Sequence, residues 1–198
     1  MELVVGSANL HKVREFKDML KAFPHLEVLS LRQFPDYALP PETGLTFKDN
    51  AIIKAEHAAK HLNKWVLADD SGLVVPALQG EPGVYSQRYA GPNATDAENR
   101  KKLLKHMQGL RDMKRAAYFE CCLALASPQG LKKCVTGICE GHILEEERGR
   151  HGFGYDSLFV KNDYEKTFAE LEESLKNRIS HRRKAFERLA TMLEMLRD

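Results

Sequence analysis

The amino-acid sequence predicts an α/β fold built on a mixed β-sheet, and three observations carry that prediction. Short apolar segments, Leu3-Val4-Val5 and Trp65-Val66-Leu67-Ala68, read as buried strands with helical patterns lying between them. Two long β-type segments, 116–126 and 132–143, flank Ser127-Pro128-Gln129-Gly130, a hairpin signal. Helical crossovers favour parallel neighbours and a hairpin is antiparallel, so one sheet containing both is mixed.

Taken in order, Gly6-Ser7-Ala8-Asn9 turns out of the first strand into a helix. Val13, Phe16, Leu20 and Phe23 share one face of it, and Pro24 ends it. Leu26-Glu27-Val28-Leu29 alternates as a second strand. A proline-rich loop from Pro35 to Pro41 leads to Glu42-Thr43-Gly44, and a second helix starts near Thr46 with Ala51, Ala55, Ala58 and Leu62 facing inward. The strand from Trp65 runs into Asp69-Asp70 and is expected to end there, because Ser71-Gly72 is good turn chemistry. Val74-Val75 continues extended until Pro76 stops it. Gly80-Glu81-Pro82-Gly83 forms a turn, and Pro92 to Asp96 caps a third helix reaching about Met107. Beyond the hairpin and a charged loop at 145–150 comes Gly152-Phe153-Gly154-Tyr155-Asp156. Ser180 then caps a final helix with Phe186, Leu189, Leu193 and Leu196 on one stripe. No repeat or long linker interrupts the chain, which reads as a single domain over 1–198.

The bulk composition restricts the function classes. With 198 residues, 43% hydrophobic and 29% charged, the chain can bury a real core and is not disordered. Lys+Arg 30 against Asp+Glu 28 leaves a net charge of +2, so there is no global field for gripping a nucleic acid. Any phosphate binding must be built locally. The N-terminus lacks a signal-peptide pattern, and no apolar run approaches the roughly 18 residues of a membrane span, so a cytoplasmic protein without a membrane partner is expected. Cys121, Cys122, Cys134 and Cys139 have no zinc spacing and read as reduced thiols on strands.

Five constellations could carry chemistry, and each has a plainer structural reading beside it. In Ser7-Ala8-Asn9-Leu10-His11-Lys12, a strand–turn–helix start offers backbone N–H groups, a positive helix end and a lysine, which together make a phosphate cradle. Alternatively, Ser7 or Asn9 simply caps the helix. Asp69 and Asp70, with Glu42 as an outlying partner, could supply the one or two carboxylates that Mg²⁺ takes alongside water and phosphate oxygens. Adjacent strand residues point to opposite faces, so both Asp residues share one metal only if the strand stops between them. Asn50 and Lys54 stand four apart on one helix face, open to ligand or solvent. Arg88 sits in the aromatic loop Tyr85-Ser86-Gln87-Arg88-Tyr89 as a further candidate phosphate contact. Gly152 to Asp156 could let backbone approach a ligand while Phe153 stacks on a base, or it could be a packed turn. Lys176-Asn177-Arg178-Ile179-Ser180-His181-Arg182-Arg183 puts positive charge at a helix start, where it opposes the macrodipole by about 0.3–1 kcal/mol per charge. An anionic or oxygen-rich ligand would explain that cluster, and so would a solvated basic face.

In register, these segments resemble the inosine triphosphate pyrophosphatase, or Ham1-like, family over nearly the whole chain. The matching pieces are Ser7-x-Asn9-x-x-Lys12-x-x-Glu15, Glu42-Thr43-Gly44-x-Thr46-Phe47-x-x-Asn50-Ala51-x-x-Lys54-Ala55 and Ala68-Asp69-Asp70-Ser71-Gly72-Leu73. Pro82-Gly83-Val84-Tyr85-Ser86-x-Arg88-Tyr89, Gly152 to Asp156 and Lys176-Asn177-x-Ile179-Ser180-His181-Arg182 complete the set. Ser7 stands where many members have Thr, and Ser157 where Pro is common; neither removes a proposed contact.

The resemblance implies an elongated mixed sheet in two lobes with an active-site cleft between them, a homodimer, and Mg²⁺-dependent hydrolysis of non-standard purine nucleoside triphosphates (ITP, dITP, XTP) to monophosphate and pyrophosphate. It implies that Ser7, Ala8, Asn9, Leu10, His11 and Lys12, with Asn50 and Lys54, hold the triphosphate. Glu42 and Asp70 become the metal ligands, Asp70 also the catalytic proton acceptor, with Ser71 at the substrate. Phe153, Gly154, Tyr155, Asp156, Lys176, His181 and Arg182 form the base pocket, and Arg88 is a further contact. Donor-only groups such as Lys176 and Arg182 would satisfy a 6-oxo purine and leave an adenine amine unpaired. Two other readings remain: a phosphatase using Asp70 as nucleophile, or a nucleotide- or RNA-binding module without turnover. A sister family acting on pyrimidine triphosphates has no natural place for Ser180-His181-Arg182.

Overall fold

In the computed structural model, which describes residues 1–196, six strands form one sheet in the order β2-β1-β3-β4-β5-β6. β1 (Glu2–Val5) lies parallel to β2 (Glu27–Ser30), Leu3 facing Val28, and parallel to β3 (Trp65–Val74), Val5 facing Leu67. Leu3, Val4 and Val5 are fully buried, as a strand covered on both faces requires. The two crossovers are helical. α1 (Leu10–Leu20) starts at Asn9, whose side chain accepts from the His11 and Lys12 N–H groups. α2 (Phe47–Leu62) starts at Thr46, which accepts from Asp49 N, and ends at Asn63 in the left-handed region.

α3 (Asp96–His106) begins with a reciprocal capping box between Thr95 and Glu98. β4 (Ala116–Ser127) and β5 (Gly130–Ile143) follow as sheet neighbours joined through Pro128-Gln129. β6 (Phe159–Lys161) closes the order antiparallel to β5. Gly141 is required there: a Cβ at that position would lie 2.1 Å from the Val160 carbonyl oxygen. α4 (Glu173–Ile179), α5 (His181–Glu187) and α6 (Ala190–Met195) end the described chain.

The chain divides into two compact units, and β3, β4 and β5 each run from one into the other. The first unit comprises Met1–Asp70, Cys121–Gly137 and the segment from Arg182 onward. Its core gathers Leu3, Phe16, Leu20, Leu67, Leu123, Phe186, Leu189 and Leu193. The second comprises Ser71–Glu120 and Ile138–His181, with a core of Leu73, Leu103, Met107, Phe119, Phe159 and Phe168. None of the four cysteines is in a disulfide among the described residues; Cys121, Cys122 and Cys139 are buried. No helix among the described residues is long and apolar enough to cross a membrane.

Two local expectations are corrected. β3 does not stop at the acidic pair but continues to Val74, because each acid finds a cationic partner on its own face. The single C-terminal helix is two short ones, α5 and α6, interrupted at Arg188-Leu189, with Phe186, Leu189, Leu193 and Leu196 still all buried. β6 and α4 lie in a stretch whose sequence gave no periodic signal.

Candidate active site

β3 delivers Asp69 and Asp70 to opposite faces, as strand alternation dictates, and the two acids consequently enter different networks. Asp70, 6% exposed, takes 2.9 Å and 3.1 Å hydrogen bonds from Lys54 Nζ and Asn50 Nδ2, both side chains of α2. Lys54 Nζ also lies 2.6 Å from Glu42 Oε1 and 3.4 Å from the Asp69 carbonyl oxygen. The pair four residues apart on α2 is therefore buried in the acid cluster and not solvated.

Asn50 ties this cluster together. Its Oδ1 accepts from Gly44 N at 2.8 Å while its amide donates to Asp70, so the Glu42-Thr43-Gly44 segment and β3 are held through one fully buried side chain. Glycine at 44 is part of that grip, since a Cβ there would sit 2.7 Å from Asn50 Oδ1.

Electrostatics separates the acids. Burial raises the Asp70 carboxyl, and Glu42 adds to it, while Lys54 and Lys12 oppose; the net direction is up. For Asp69, burial also pushes upward but is outweighed by Lys12 and then Arg182, which hold it well below the usual carboxylate range. Lys54 is lowered by burial but raised further by Asp70, Glu42 and Asp69, so it stays charged.

Behind β3, Asp69 Oδ2 lies 2.8 Å from Lys12 Nζ and 3.5 Å from Arg182 Nη2, and Arg182 Nη1 pairs with Glu15 Oε2. Arg182 is 1% exposed. Its guanidinium belongs to a buried ion-pair network on Glu15 and Asp69. Glu15 was not singled out as a site residue, although an acid next to Phe16 on the inward face of α1 was the available signal.

At the start of α1, the capping reading of Asn9 holds, and Ser7 Oγ accepts from Asn9 N at 3.2 Å. Ala8, Leu10 and His11 are exposed there, so the turn presents backbone and helix end to solvent.

In the second unit, Gly152 and Gly154 both adopt positive φ, and the turn they make is anchored by Asp156, whose Oδ2 accepts from Phe153 N at 2.9 Å and from Lys176 Nζ at 2.5 Å. A Cβ on Gly152 would lie 2.1 Å from that same oxygen. Gly152→Ala is therefore expected to swing Asp156 away and free Lys176, a loss visible as a lower Tm and weaker nucleotide affinity. Lys176 Nζ stands 4.5 Å above the Phe153 ring, and His181 stacks on Phe119 at 4.8 Å between centroids. Tyr155 is buried, its hydroxyl donating to Ser86 O at 2.8 Å, and Gly154 N and O are engaged by Asp96 and Arg100. These two residues shape the turn. Ser71 is half-buried next to Asp70 in β3, and Arg88 lies over the Tyr85 ring at 5.4 Å.

Among the described residues, no group of three or more His, Cys, Asp or Glu side chains forms a ready-made metal cage. Glu42 and Asp70 nevertheless converge on one cation, Lys54 Nζ, so their oxygens are no further apart than two hydrogen bonds. Two hard oxygen donors fit Mg²⁺, which completes its shell with water and phosphate.

Known proteins resemble this chain over nearly its whole length. A model of the Ham1 family matches residues 3–192. The chain is 70% identical to the dITP/XTP pyrophosphatase of Protochlamydia amoebophila (strain UWE25), with all of both chains covered. It is 51% identical to the protein of the same name from Chlamydia caviae, covering 99% of this chain and 96% of that one. The solved structure of a HAM1 protein from Coxiella burnetii superposes with a TM-score of 0.90 at 42% identity, over 99% of this chain and 100% of that one. The Staphylococcus aureus Ham1 protein gives 0.87 at 42% identity, over 98% and 99%.

Proposed function

The chain belongs to the Ham1 family, and on that premise we propose that it is a nucleoside triphosphate pyrophosphohydrolase acting on non-standard purine nucleotides such as dITP, XTP and ITP. The observation that carries the reading is the buried cluster in which Asp70 and Glu42 converge on Lys54 with Asn50 behind them.

Water attacks the α-phosphorus and pyrophosphate leaves. Asp70, its carboxyl raised by burial, accepts the proton of that water. Lys54 and Lys12 supply positive charge where the phosphate oxygens become more negative, and the exposed Ala8 and Leu10 offer their N–H groups to the triphosphate. Glu42 and Asp70 would hold Mg²⁺, which when bound neutralises phosphate charge and acidifies water. Ser71 and Arg88 are further substrate contacts in this reading.

On the base side, Lys176 is the donor that meets a 6-oxo group, backed by Asp156, with the Phe153 and His181 rings for stacking. Lys176→Met is expected to lower the ratio of kcat/KM for ITP over ATP by about tenfold to a hundredfold, the worth of one charged hydrogen bond. An unchanged ratio would remove Lys176 from base selection. The homodimer and the cytoplasmic setting belong to the same proposal and rest on the family; sedimentation equilibrium tests the former. The deciding experiment is a nucleotide panel with Mg²⁺. Monophosphate and pyrophosphate are expected, fastest from dITP, ITP and XTP, whereas inorganic phosphate as the product would replace this reading with an aspartyl-phosphate phosphatase.

A further inference from the structure

Apart from the acid cluster, α2 carries a second group of metal-ligating side chains that the hydrolysis does not use. His57 and His61 are four residues apart in Glu56-His57-Ala58-Ala59-Lys60-His61, so they occupy one helix face, and both are exposed. Their rings stack 5.8 Å apart between centroids with planes only 18° from parallel. Two imidazoles at this spacing on a helix are the arrangement that chelates a borderline divalent ion, each giving one nitrogen.

Tyr37, in the segment leading to Glu42, packs on both, with centroids 5.6 Å from His57 and 5.5 Å from His61. Its hydroxyl is 2.9 Å from His57 Nδ1. The phenol is placed as a hydrogen-bond partner of His57. A metal-bound histidine almost always donates its other ring N–H to an oxygen that fixes its orientation. Tyr37 stands where that oxygen is needed: with Nδ1–H donating to it, the His57 Nε2 lone pair is left for the ion. Bringing the second ring onto the same ion takes only a side-chain rotation at an exposed position.

We propose that His57 and His61, with Tyr37 behind His57, form a surface site for a divalent transition-metal ion of the Cu²⁺, Ni²⁺ and Zn²⁺ class, separate from the carboxylate cluster. Water completes the coordination. Occupancy would clip the segment that contains Tyr37 onto the C-terminal half of α2.

The test uses tag-free full-length protein in excess Mg²⁺, which the imidazoles do not bind, titrated calorimetrically with Cu²⁺, Ni²⁺ or Zn²⁺. One ion per chain is expected, Cu²⁺ tightest, with two coupled nitrogens in its electron paramagnetic resonance spectrum. His57→Ala and His61→Ala should each weaken binding by at least about tenfold, and Tyr37→Phe by about tenfold. The metal-induced rise in Tm should vanish in the double variant H57A/H61A, while pyrophosphate release stays unchanged. Retention of the Cu²⁺ affinity and of the two-nitrogen spectrum in H57A/H61A would overturn the proposal, and so would equal binding of Cu²⁺ and Mg²⁺. Since basal hydrolysis is measured separately, failure of this site leaves the hydrolase reading untouched.

Discussion

Asp70→Asn is expected to lower turnover of ITP by about three orders of magnitude, with little change in Tm or in substrate affinity. The amide keeps the shape of the carboxyl and can still take Asn50 and Lys54 as neighbours, while Glu42 remains 2.6 Å from Lys54 to hold its charge. Lost are the proton acceptor and one hard anionic donor for Mg²⁺. Because burial raises the Asp70 carboxyl above its ordinary value of 3.8, it is a stronger base than a surface aspartate. Single-turnover kinetics with equilibrium binding separates the two effects: a large fall in the chemical step with a near-constant Kd is the expected pattern. Turnover within about tenfold of the unsubstituted chain would remove Asp70 from proton transfer.

The distinction between Asp70 and Asp69 was partly legible in the sequence, and where it was not, the cause is physical. Strand alternation already put the two acids on opposite faces. What local pattern could not supply is the set of partners, because Lys12, Glu15 and Arg182 reach Asp69 from segments remote in sequence. Lacking those, Ser71-Gly72 looked like a turn, and β3 looked as if it ended four residues before it does. Helix starts, by contrast, depend on neighbours within one turn, and the caps Asn9, Thr46 and Thr95 all fall within the short segments where the sequence put a helix start. The hairpin of β4 and β5 was legible for the same reason. β6 is only three residues long and owes its place to pairing with Gly141–Ile143, so it carried no signal of its own. In the candidate site, the residue types were readable from motifs, but their engagement was not. Tyr155 and Asn50 proved to brace loops, and Arg182 proved to be an internal counter-ion.

That counter-ion role makes Arg182→Ala the most destabilising single change expected here, at about 3–5 kcal/mol near neutral pH. The substitution leaves Glu15, 5% exposed, and Asp69, 2% exposed, with their carboxylates buried and their shared cation gone. Lys12 still faces Asp69, which is why the penalty is not expected to exceed this range. For a chain of this size, each kcal/mol moves Tm by about 2–4 °C, so a fall of about 10 °C is anticipated. The pH dependence identifies the cause. Asp69 is depressed in the fold, so its contribution is present above its unfolded value of about 3.9 and is lost as pH falls toward the folded one. Removing Arg182 weakens that depression. The difference in Tm between the two proteins should therefore be greatest at neutral pH and shrink below about pH 4, where protonated acids no longer need a cation. Residual activity should fall by the same factor for ITP and ATP, unlike the Lys176 variant, since a guanidinium held on Glu15 and Asp69 does not select the base. A penalty under about 1 kcal/mol, or one that is flat with pH, would show that the network contributes little, and a selective loss toward ITP would return Arg182 to the base.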